Sequence, residues 1–80
     1  MQQITLIRQM ANEHLAEFNR LACKGLAAGT ELQTECALET LAELAHRSGF
    51  DELYQQITNR QHKLELHTVL APITTRGGEA

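Results

Sequence analysis

Apolar side chains recur at steps of three and four residues along the first 24 positions of the chain. This spacing predicts an amphipathic helix over residues 3–24 with one buried face. The expected buried positions are Ile4, Ile7, Ala11, Leu15, Phe18 and Ala22. Either Gly25 or Gly29 can end the helix, because glycine readily adopts the left-handed conformation of a helix C-cap. The pattern leaves the choice between the two glycines open.

Two further helices are predicted after this first one. Thr30 and Gln33 have the spacing of a capping box, so a second helix is expected over residues 31–47. Its expected buried face consists of Ala37, Leu38, Leu41, Leu44 and Ala45. Ser48 and Gly49 end that helix and a third follows at once. The shared face of the third helix consists of Phe50, Leu53, Tyr54, Ile57, Gln61 and Leu64.

The predicted fold class is all-α, with an antiparallel helical hairpin and a third helix packed across it. Leucine and alanine, both strong helix formers, dominate the apolar residues, and the only proline is Pro72. Eighty residues suffice for one domain, which we assign to residues 1–73. Residues 74–80 are expected to form a flexible tail.

The apolar residues of segment 64–73 do not fit one helical stripe. The segment is predicted to be either a helix with two apolar sides or a short extended arm. In both cases it leaves apolar surface that a chain of this size does not cover alone. We therefore predict a homodimer whose subunits meet through Leu66, Val69, Leu70 and Ile73. The alternative is that the segment completes the core of the monomer.

Charge is concentrated in the middle of the chain, where residues 31–52 hold six acidic residues and one basic residue. Four of the acids, Glu31, Glu35, Glu39 and Glu43, stand four residues apart on the second helix; we call them the acidic ridge. Neighbours lie about 6 Å apart along the helix axis. Such a row suits a basic surface on a partner protein, including one that normally holds nucleic acid. The alternative is a solvated helix face.

The join between the second and third helices resembles half of a helix-turn-helix. Ala45 and Gly49 stand where a small residue and a turn glycine are needed. The next helix carries several side-chain types that read DNA bases, namely Gln55, Gln56, Asn59, Arg60 and Lys63. However, the acidic ridge would repel phosphate and basic residues are scarce. A plain helical corner explains the same residues.

No motif in the sequence points to catalysis or to a cofactor. A glycine-rich phosphate loop, a nucleophile motif and a metal motif are all absent. Cys23 and Cys36 could approach each other across the first hairpin if the first helix ended near Gly29. Because they do not form a close pair such as Cys-x2-Cys, we predict structural cysteines and no metal site. The chain is therefore expected not to be an enzyme.

The cellular location expected from the sequence is the cytoplasm. No run of 18 apolar residues occurs, so no membrane span is predicted. The first residues lack the basic start and apolar stretch of a signal peptide. Two cysteines without an export signal favour a reducing compartment.

The predicted function is that of a small, non-enzymatic helical interaction protein. In size and composition the chain resembles the short accessory proteins of bacteriophages and other mobile elements, which often block a host-defence complex. That resemblance implies a protein that binds a partner and inhibits or modulates it, with the acidic ridge as contact surface. One alternative is a dimeric, helix-turn-helix-like transcriptional regulator that binds DNA. Another is a structural or assembly subunit held together by segment 64–73.

Overall fold

A computed structural model, which describes residues 3–74, contains three α-helices and no strand in that range. Helix α1 spans Gln3–Cys23, α2 spans Glu31–Arg47 and α3 spans Asp51–Lys63, and one turn of 3-10 helix follows at Leu64–Leu66. Helix α2 lies between the other two, since both α1 and α3 pack mainly against it. The all-α, three-helix prediction is confirmed.

The buried face of α1 is the one that the periodicity predicts. Ile7, Ala11, Leu15 and Phe18 are buried. Ile4 and Ala22, at the two ends of the stripe, are partly buried against the same core. The other positions of α1 are mostly polar, so this single stripe accounts for the buried face of the helix.

Gly25, not Gly29, ends α1. Its φ angle is +70°, in the left-handed region. The Gly25 N–H donates to the Ala22 carbonyl at 3.0 Å, and the Leu26 N–H donates to the Leu21 carbonyl at 2.8 Å. These two bonds form a Schellman motif, which satisfies carbonyl groups that the helix end would otherwise leave without a partner.

Gly49 ends α2 in the same way, with a φ of +82°. We expect Gly49→Ala to lower the free energy of unfolding by about 1–2 kcal/mol, the cost of a left-handed conformation for a residue with a β-carbon. An added β-carbon would meet no atom within 4 Å, so the cost is conformational and not steric. Urea denaturation measures the change. The control Ser48→Ala, at a right-handed position, should change stability by less than about 0.5 kcal/mol.

The buried face of α2 differs from the predicted one. Its buried residues are Leu38, Leu41, Ala42 and Ala45. The prediction was wrong about Leu44, which is 40% exposed, and it missed Ala42. Both α1 and α3 pack against this face of α2, and Leu44 lies at its edge.

The start of α2 also differs in detail from the prediction. Helix α2 begins at Glu31 as expected, but the Thr30 hydroxyl makes no capping hydrogen bond. It donates instead to the Ala27 carbonyl at 2.7 Å. The Gly29 N–H donates to the Glu31 carboxylate at 2.8 Å. The predicted capping box is therefore wrong, and Glu31 reaches back past the helix start in its place.

Beyond the 3-10 turn the chain reverses at His67 and continues as an arm, residues 68–74, without helix or strand. Leu70 and Ile73 of this C-terminal arm are 4% and 2% exposed and belong to the core. Within one chain these two residues therefore complete the core, which is the alternative that the sequence left open; a subunit contact through this segment stays a prediction. Leu66 and Val69 stay exposed. Of the predicted tail, only its first residue lies within the described residues.

Two asparagines of α1 fix the C-terminal arm. The Asn19 amide donates to the Leu70 carbonyl at 2.9 Å and accepts from the Leu70 N–H at 2.7 Å. Asn12 does the same for Ile73, with both bonds at 2.8 Å. Seven helical residues rise about 10.5 Å, and three extended residues span about 10 Å, so the two spacings match. We call Asn12 and Asn19 the asparagine clamps.

Candidate partner-binding surface

The acidic ridge keeps three of its four members on the surface. Glu35, Glu39 and Glu43 are exposed along the outer side of α2. Within residues 3–74, Glu35 and Glu39 take part in no ion pair, whereas Glu43 lies 2.8 Å from the guanidinium of Arg47. That pair is solvent-exposed and is worth only about 0.3–0.5 kcal/mol. The ridge therefore presents net negative charge that this part of the chain does not neutralise.

Glu31, the fourth member, is half-buried and serves the fold as well. Its carboxylate accepts from the Gly29 N–H and lies 3.5 Å from Nε2 of His67. Hydrogen bonding by its own backbone N–H is the main effect that lowers the pKa of Glu31 below its usual value; Gly29 and His67 add to it, against partial desolvation. Glu31 thus links the start of α2 to the turn before the C-terminal arm.

A pocket of about 400 Å³ lies beside the N-terminal end of the ridge, between α2, α3 and the 3-10 turn. Its lining consists of Glu31, Glu35, Thr58, Gln61, His62, Leu64 and Glu65. Three carboxylates, an imidazole, an amide and a hydroxyl line one space, so it suits a cationic group that also donates hydrogen bonds. The guanidinium of an arginine has both properties. We call this space the acidic pocket.

Sequence reasoning missed the part of the acidic pocket that lies outside α2. Thr58, Gln61, His62 and Glu65 succeed one another at the spacing of a single helix face. That spacing could have shown that they share a side of α3 and its continuation. It could not have shown that this side meets Glu31 and Glu35, because the meeting depends on how α3 crosses α2.

Some of the residues proposed to read DNA are exposed, whereas others are engaged within the fold. Gln55, Asn59 and Lys63 are exposed and Gln56 is half-buried. Arg60, however, donates from its guanidinium to the carbonyls of Ala71 and Pro72, each at 3.0 Å. Its charged group is thus engaged with the C-terminal arm. The first turn of α3 also carries two acidic residues, which oppose phosphate at the end that a recognition helix presents to DNA.

Cys23 and Cys36 are free thiols on the surface. The condition for their approach, a first helix that continues to Gly29, is not met, because α1 ends at Gly25. Within the described range, no three histidine, cysteine, aspartate or glutamate side chains come together in a way that could hold a metal ion.

Neither the protein-family models, nor the curated proteins, nor the solved structures searched contain a match to this chain. None of the helices in residues 3–74 is both long and apolar enough to cross a membrane.

Proposed function

We propose that this protein binds a partner protein through the acidic ridge and the acidic pocket and thereby inhibits or modulates that partner. The observation that carries the proposal is the continuity of Glu39 and Glu35 with a pocket lined by three carboxylates. Like charges four residues apart destabilise a helix by about 0.2–0.5 kcal/mol per pair. The fold keeps this arrangement although no cation among residues 3–74 pairs with Glu35 or Glu39.

The partner class that fits this surface is a protein with a cleft lined by arginine and lysine. Exposed carboxylates of the ridge would steer the encounter and raise the association rate, which is the usual contribution of charges at the rim of an interface. The acidic pocket would take one arginine side chain as an anchor, since buried arginines often dominate binding energy. Proteins and complexes that hold nucleic acid present such clefts.

Occupying such a cleft is itself a mechanism of inhibition, because it excludes the cleft's normal ligand. No bond needs to be made or broken, so we propose a stoichiometric binder and not an enzyme. The resemblance in size and composition to phage accessory proteins makes a host-defence complex one partner of this class. We also propose that the protein forms a homodimer.

The charge-reversal variant Glu35→Lys with Glu39→Lys tests the proposal. We expect its association with the partner to be at least about tenfold slower, because two attractive contacts become repulsive. Folding should be intact, since both side chains are exposed. Tagged wild-type and variant proteins are used to capture partners from a host lysate, and association rates are then measured on the purified partner.

A matched control carries the same change of charge on another helix. Glu13→Lys with Glu17→Lys alters α1, where Glu13 and Glu17 are exposed. Binding that survives nuclease treatment, is kept by the control and is lost by the ridge variant would support the proposal. Equal binding by both variants would contradict it. A capture that disappears with nuclease would favour the DNA-binding alternative.

A further inference from the structure

The C-terminal arm is held by α1, which is distant from it in sequence, and by a side chain of α3. Leu70 and Ile73 are buried in the groove between these two helices, and the asparagine clamps of α1 lie 51 and 61 residues before them. The clamps bind backbone groups, and Arg60 of α3 likewise binds carbonyl groups. These contacts do not require that the arm belong to the same copy, so an identical arm from another copy would make them equally well.

The hinge of the arm is conformationally unfavourable. His67 has a φ of +54° and is the only non-glycine residue with a positive φ in residues 3–74. At the ends of α1 and α2 the chain places glycine in the left-handed position, but at the end of the 3-10 turn it places a residue with a β-carbon. Straightening the hinge would release this strain.

Exposed apolar side chains flank the same hinge. Leu66 is 64% exposed and Val69 is 57% exposed, one before and one after His67. In the closed monomer these groups face water. If the hinge opened toward a second copy, they would lie at the point where the two chains cross.

We propose that two copies of this chain exchange their C-terminal arms, so that Leu70 and Ile73 of each copy fill the groove of the other. The contacts within each groove are the same in monomer and dimer, and therefore cancel. Two effects favour the dimer: the release of two left-handed His67 residues, and the burial of Leu66 and Val69 where the hinges cross. The loss of translational and rotational freedom on association opposes it, as does the loss of the contact between Glu31 and His67.

A series of substitutions at the hinge tests arm exchange in the full-length protein. His67→Gly and His67→Ala both remove the imidazole near Glu31, and they differ only in the strain of the left-handed conformation. We expect the dimer of His67→Gly to dissociate with a constant about 30-fold higher than that of His67→Ala, because two hinges are relieved per dimer. His67→Pro cannot adopt a positive φ and should be dimeric at the lowest concentrations. Light scattering over a concentration series measures all three.

A second measurement distinguishes arm exchange from a face-to-face dimer. Isotope-labelled and unlabelled chains are mixed, and intermolecular NOEs are sought between the methyl groups of Leu70 or Ile73 and residues of α1. Such NOEs are the expected result. A dimer with only intramolecular arm contacts, a larger discrete oligomer, or monomers throughout the series up to millimolar concentration would each overturn the proposal. If His67→Pro fails to fold, as judged by circular dichroism, the glycine and alanine variants decide.

Discussion

Replacing Leu70 with alanine is expected to lower the free energy of unfolding by about 2–5 kcal/mol, the range for large-to-small changes in a core. Leu70 is buried between α1 and α3, and both of its backbone polar groups are bound by Asn19, so the arm cannot easily shift to fill the space. Urea denaturation followed by circular dichroism gives the value.

Thr68→Ala is the matched control for this substitution. Thr68 lies two residues before Leu70 in the same arm but is exposed, so its truncation should change stability by no more than about 0.5 kcal/mol. A large difference between the two variants is the signature of a docked arm. If both variants were equally mild, Leu70 would not be part of the core, and the docked position of the C-terminal arm would be wrong.

Removing both asparagine clamps is expected to lower the free energy of unfolding more than any other substitution proposed for this protein. Asn12→Ala with Asn19→Ala takes away four hydrogen bonds and leaves the N–H and C=O of Leu70 and Ile73 without partners. A buried polar group without a partner costs about 1–3 kcal/mol, and partial burial reduces that cost. We expect a combined loss of about 3–6 kcal/mol in the free energy of unfolding.

A loss of that size is comparable with the whole stability of the domain, which should be about 4–12 kcal/mol for a chain of this length. The double variant should therefore be partly unfolded at 37 °C or melt far below the wild type. Asn59→Ala serves as the control, because Asn59 is an exposed asparagine of α3. Near-native thermal stability of the double variant would show that the clamps are dispensable.

Local features of the fold could be predicted where a single local cause decides them. The α1 stripe was predicted correctly because α1 buries one face against one layer, and Gly49 was predicted to end α2 because only glycine adopts that conformation without cost. The buried face of α2 was misassigned at Leu44 and Ala42, since α2 is covered on two flanks. Periodicity along one helix does not reveal how many neighbours that helix has.

The C-terminal arm shows the limit of sequence reasoning more sharply. The apolar residues of segment 64–73 fit no single helical stripe, which left a helix, an arm, a subunit contact and a core segment all open. The pairing of Asn12 with Ile73 and of Asn19 with Leu70 holds this part of the chain as an arm packed on the core. Each pair is more than 50 residues apart, and an asparagine in a helix gives no local sign of a distant backbone partner.

Only part of the candidate surface could be predicted, because the rest also depends on contacts between residues that are distant in sequence. Spacing alone places Glu35, Glu39 and Glu43 on one exposed side of a helix. It does not show that Glu31 would be drawn toward Gly29 and His67, nor that a pocket would form beside it. Those features arise from the loop before α2 and from the turn after α3, which meet only in the folded chain.

The position of the C-terminal arm also has a consequence for the order in which the chain folds. The arm docks through contacts that join residues 51 and 61 positions apart. Such long-range contacts form late in folding, because closing a long loop costs entropy before the contact repays it. Until the arm docks, the apolar groove that Leu70 and Ile73 fill has no cover. We expect chaperones, or the arm of a neighbouring chain, to bind the groove during that interval.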